Sequence, residues 1–159
     1  VVSDVEPNAA LAILKLWAPL MMSVSDDPLP TVPSALSDWW SGVVSLDPAQ
    51  AQNIGSMVLT TFEAVGLDVP DDAWDSFTGV AVPVLVERPS VGALRSLETA
   101  AMAGRIGETV LLSLVILGEA HPAEFDSDTV SRVIAALMAV GLVEDARALA
   151  LEAIVGRSL

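Results

Sequence analysis

The chain contains no cysteine and no tyrosine, one histidine (His121) and one lysine (Lys15) in 159 residues. Without cysteine there can be no disulfides, thiolate metal sites or cysteine nucleophiles. A single histidine leaves an imidazole metal site short of ligands. A serine triad would have to use His121, and no G-x-S-x-G elbow surrounds any serine. Basic residues are also scarce, 7 against 21 acidic, for a net charge of −14. Such a surface repels phosphate backbones and anionic headgroups, so the reading is no nucleic-acid partner. The longest strongly apolar run, residues 110–117, is interrupted by Ser113. It falls well short of the roughly 20 residues that span a bilayer, so no transmembrane segment is expected.

Hydrophobic residues, by contrast, make up 53% of the chain, with a mean hydropathy of +0.61, although aromatics are only 4%. Ala, Val and Leu therefore supply the apolar content, which suits helix packing and exceeds the share usual in a soluble domain. A chain of this length can bury roughly 70% of its unfolded surface without metal or disulfide staples. It begins Val1-Val2-Ser3-Asp4, with no Met and no basic region that would mark a signal peptide. That start suggests a processed chain or a piece of a longer protein. The absence of cysteine fits either side of a membrane and does not fix the compartment.

Helix punctuation recurs along the sequence. Asp47-Pro48-Ala49-Gln50 reads as an N-cap, a proline at the first helical position and a glutamine three residues after the cap. Ile54, Met57, Val58, Thr61, Phe62 and Val65 follow on one face at a 3.6-residue period, and Gly66 stops the helix. Pro89-Ser90 opens a helix with Val91, Leu94, Leu97 and Ala101 on its apolar face, ended by Gly104. A second runs over about residues 105–117 to Gly118. Asp126-Ser127 caps a third, with Val130, Val133, Ile134, Leu137 and Met138 aligned before Gly141. A last helix carries Ala146, Leu149, Ala150, Ala153 and Ile154.

The stops resemble one another. Ala64-Val65-Gly66-Leu67 and Ala139-Val140-Gly141-Leu142 are the same four residues, with Ala103-Gly104-Arg105-Ile106 a weaker version between them. The glycines lie 38 and then 37 residues apart (104 − 66 and 141 − 104), a period typical of stacked helical hairpins. The fold class read from this pattern is all-α: stacked antiparallel helical hairpins, α-solenoid-like, or a compact orthogonal helical bundle. Residues 47–159 are expected to form three hairpins. Residues 1–46 form a less regular helical region, the two together making one continuous domain. In that region Pro19 should kink or end a helix over about residues 7–22. Residues 110–117, apolar all round but for Ser113, are expected to be buried at the centre, with Leu114 fully enclosed. For residues 78–88, β-branched and broken by Pro83, extended chain and loose helix remain open.

Several constellations could in principle carry chemistry. Glu124, Asp126 and Asp128 are spaced like the first ligands of a calcium loop. Thr129 and Ala135 then stand where glycine and glutamate are needed, and acidic residues at a helix start explain the cluster better. Asp71, Asp72 and Asp75 follow Pro70 at another expected helix start. Gly104-Arg105-Ile106-Gly107 is a G-x-x-G without the basic flanks that phosphate cradling requires. No catalytic, cofactor or metal residue is assigned. Trp17, Trp39 and Trp40 are candidate interface residues: neighbours on a helix point about 100° apart, so Trp39 and Trp40 share burial only under a wide face.

The strings from Ala103-Gly104-Arg105-Ile106-Gly107-Glu108 through Leu112, Ala136-Leu137-Met138-Ala139-Val140-Gly141-Leu142, and Ala146-Arg147-Ala148-Leu149-Ala150 resemble the C-terminal part of large alanine-rich bacterial helical-repeat proteins of unknown function, over roughly residues 89–156. They are loosely similar to tetratricopeptide-like hairpins as well, without that consensus's aromatic and proline positions. The resemblance implies a helical fold within a larger protein and no particular activity. The function read from the sequence is a non-catalytic protein-interaction or scaffold module whose partner is a protein, one with a basic surface being a candidate, or a second copy. A carrier of an apolar ligand and a carboxylate-dependent enzyme are the alternatives.

Overall fold

A computed structural model of the protein describes residues 48–75 and 88–158. These form α1 (Pro48–Ala64), the short α2 (Asp71–Asp75), α3 (Val91–Met102), α4 (Ile106–Leu117), a 3-10 turn (Pro122–Glu124), α5 (Ser127–Ala139) and α6 (Val143–Ser158). The described residues form an all-α bundle, as the capping pattern predicts. Trp17, Trp39, Trp40 and the expected helices of residues 1–46 lie outside them, as do most of residues 78–88.

Local chemistry sets the helix ends. The Ser90 Oγ accepts from the Ala93 N–H at 3.1 Å and starts α3. Asp126 starts α5, its Oδ1 accepting from the Thr129 N–H at 3.0 Å. The stops at Gly66, Gly104 and Gly141 share one geometry. Each glycine has positive φ (87°, 67° and 83°), and the N–H after it donates back across the last turn: Leu67 to the Phe62 carbonyl, Arg105 to Ala100 and Leu142 to Leu137, all at 2.9–3.0 Å. These are Schellman closures, in which the left-handed residue carries no Cβ penalty when it is glycine. After Gly104 and Gly141 the chain turns straight into the next helix, so α3 packs on α4 and α5 on α6.

The central element is α5, which packs against α1, α3 and α6. Val130, Val133 and Ile134 on it are fully buried, together with Met57, Val58 and Phe62 from α1, Leu97 from α3, and Ala146, Ala150, Ala153 and Ile154 from α6. The alanine row on α6 removes side-chain bulk where α1 and α5 both approach it. Most of the expected apolar faces are buried. Val91 is the exception: it stands at the start of α3, largely in solvent.

The expected place of residues 110–117 is overturned. Helix α4 is peripheral: it leans almost wholly on α3 and touches α5 only slightly. Leu114 is 61% exposed, not enclosed. An unbroken apolar surface gives a helix no preferred inward side, so packing partners alone decide how much of it is covered. Among the described residues, α4 is covered mainly by one helix, α3.

Candidate functional site

Most of the exposed large apolar residues of the described chain lie on the α3–α4 hairpin, Val91, Met102, Ile106, Leu111, Leu114 and Val115; the other, Val155, is on α6. On α4 the arrangement inverts the usual one. Thr109 is fully buried and Ser113 nearly so, while Leu111, Leu114 and Val115 are 65%, 61% and 73% exposed. Burial of the two hydroxyls carries little penalty because each donates to the backbone one turn back, Thr109 Oγ1 to the Arg105 carbonyl at 3.0 Å and Ser113 Oγ to the Thr109 carbonyl at 2.8 Å. With 100° per residue, Gly107, Glu108, Leu111, Leu114, Val115 and Gly118 fall within an arc of about 120° opposite Thr109, Ser113 and Ile116. The arc holds one charge, Glu108, at its edge, paired with Arg105 at 2.9 Å.

Beside this face, α3 and the start of α4 enclose an open depression of about 320 Å³ lined by Gly92, Arg95, Ser96, Thr99, Arg105 and Glu108. It is shallow and open to solvent and carries Arg95, Arg105 and Glu108, unlike the enclosed, mainly apolar pocket that a carrier needs.

The acidic and histidine positions weighed from sequence are engaged in local structure. His121 caps the 3-10 turn: its Nδ1 accepts from the Ala123 N–H at 3.1 Å, and Glu124 Oε1 accepts in return from the His121 N–H at 3.1 Å. With Nδ1 an acceptor, Nε2 carries the proton of the neutral ring and faces Glu152 Oε1 at 3.5 Å. Gly156 on α6 lets this loop approach, because a Cβ there would lie 2.3 Å from His121 Cε1. Asp126 accepts from both the Thr129 N–H and, at Oδ2, the Thr129 hydroxyl at 2.7 Å. Asp128 faces Arg132 at 3.6 Å, and Arg132 also reaches Glu98 on α3 at 3.5 Å. Asp71 and Asp75 lie exposed on α2, which is tied to α1 by the Trp74 indole N–H donating to Glu63 Oε1 at 3.1 Å. Among the described residues no three His, Asp or Glu side chains gather as a metal site would require. Gly104 and Gly107 serve the α3–α4 turn, Gly104 as the stop of α3 and Gly107 in the first turn of α4.

Sequence reasoning did not find the α4 face. Its only sequence signal is the low polarity of residues 110–117, which also describes a buried helix. No helix of the described chain is long and apolar enough to cross a membrane. Comparison with known protein families, curated proteins and solved structures finds no match.

Proposed function

We propose that this chain is a non-catalytic interaction or scaffold module, part of a larger bacterial protein, that docks through the outer face of α4. The observation that carries the reading is the inversion of that helix, with hydroxyls inside and leucines outside. Leaving Leu111, Leu114 and Val115 in water forfeits on the order of 1 kcal/mol or more each relative to full burial. A partner seated on the face recovers that free energy, and contiguous exposed apolar patches of this kind mark interaction sites. The common closure at Gly66, Gly104 and Gly141 and their near-equal spacing support a helical-hairpin array, an architecture that presents extended binding surfaces. The resemblance over residues 89–156 supports membership of a longer repeat protein.

The test is a photo-reactive amino acid placed at position 114 of the intact protein in cells, with position 144 on α6 as control; Glu144 there is 88% exposed. The expected result is a discrete protein adduct from position 114, absent from 144 and lost when Leu111→Glu is added. Equal labelling from both positions, or none from 114, would remove the docking role of α4.

A further inference from the structure

We infer that the partner on the α4 face is a second copy of this chain, seated antiparallel, α4 against α4, about a two-fold axis between residues 112 and 113. This deepens the docking role proposed for α4 and rests on it. The helix is itself symmetric about that point. Residues 107–118 read G-E-T-V-L-L-S-L-V-I-L-G. Reversing the direction about the midpoint places Gly107 opposite Gly118, Val110 opposite Val115, and Leu111 opposite Leu114. The exposed seam of Gly107, Leu111, Leu114 and Gly118 is thus spaced 4-3-4, the alternation by which two helices interlock side chains, and it is the same read from either end. An isologous two-fold contact requires that a patch complement itself, and this one does.

Three further observations point the same way. At the ends of the seam, a Cβ built on Gly107 or Gly118 meets nothing within 4 Å, so both glycines leave room for another backbone to approach. Charge is compatible with the antiparallel direction: Arg105, paired with Glu108, precedes α4 and Glu119 follows it, both exposed, so an antiparallel partner brings helix ends of unlike charge together. A parallel partner would set arginine against arginine. Size is the third. A 12-residue helix is about 18 Å long. A pair of such faces buries at most on the order of 1,000 Å², the lower bound for a specific interface. The dimer is therefore weak and reversible, with half-association between about 1 and 100 μM. The −14 charge on each copy opposes association, so added salt strengthens it.

Sedimentation of the whole chain from about 1 to 300 μM tests this, at low and high salt. Wild type is expected to pass from monomer to dimer, at lower concentration in high salt. Leu111→Glu and Leu114→Glu should each shift the midpoint upward by more than tenfold, whereas Thr99→Glu on α3 should not. The absence of native cysteine allows a second readout that needs no charged variant. Under mild oxidation, Leu111→Cys mixed with Leu114→Cys should give the mixed disulfide faster than either variant crosslinks with itself. A wild type that stays monomeric at every concentration overturns the inference, as do equally fast self-crosslinks, which indicate parallel helices. An adduct from position 114 to a different protein, or to residues 1–47 of the same chain, also overturns it. In the case of a different protein the docking role of α4 stands and only the identity of the partner falls.

Discussion

Replacing Leu97 and Leu114 by alanine in parallel compares the core with the exposed α4 face. Both are leucines on the same helical hairpin, yet Leu97 has no exposed surface and Leu114 keeps 61% of its own. Leu97→Ala loses the whole transfer free energy of the side chain and leaves a cavity between α3 and its neighbours, a cost of about 2–5 kcal/mol. For Leu114 only about two-fifths of the side chain is covered, worth about 0.6–1.2 kcal/mol if full burial is worth 1.5–3. The space left is open to water, so no cavity term is added, and alanine returns a few tenths through helix propensity. The net expectation is about 0.5–1 kcal/mol, several-fold below Leu97→Ala. Urea melts followed by far-UV circular dichroism at 1 μM, with the slope held common, measure both values. At 200 μM the Leu114→Ala deficit should widen, because association stabilises only the wild-type face. A cost above about 2 kcal/mol for Leu114→Ala in the dilute melt would show that α4 is enclosed within the folded monomer, not exposed on its outer face.

Further predictions concern the joints of the fold. Gly156→Ala should destabilise by about 1–2 kcal/mol, since the new methyl collides with the His121 ring and Ala123 and overpacking outweighs the gain in helix propensity of about 1 kcal/mol. Gly92→Ala, with nothing within 4 Å of the added carbon, should instead be neutral or stabilising in the same melts. Asp126→Ala should cost about 2 kcal/mol, combining the lost N-cap of α5 with a buried Thr129 hydroxyl deprived of its acceptor; Asp126→Asn should recover most of it. Calcium or magnesium at millimolar levels should leave the melting temperature unchanged, because Glu124, Asp126 and Asp128 are each held by a different local partner. A rise of several degrees would mean that these carboxylates can converge on an ion.

The features legible from the residues alone are local. Ser90 and Asp126 start helices because a side-chain oxygen satisfies an otherwise unpaired N–H wherever that helix ends up. Gly66, Gly104 and Gly141 stop helices because only a residue without Cβ takes their positive φ without strain. The inward face of α5 was legible for a related reason: Val130, Val133, Ile134 and Leu137 recur at the helical period against a polar background, which orients that helix before any partner is known; on α6 the buried Ala146, Ala150 and Ala153 keep the same spacing, but Leu149, Leu151 and Val155 between them are apolar too, so its neighbours chose the buried side. Tertiary structure decided which helix occupies the centre. Helix α4 is apolar on nearly every side, so its sequence says that it seeks cover and carries no direction from which cover must come. Its threonine and serine gave no direction either, because a hydroxyl bonded one turn back along its own helix is tolerated inside. Helix α5 already met α1, α3 and α6 on its own faces. What remained for α4 was one flank of α3, and Leu111, Leu114 and Val115 were left facing outward.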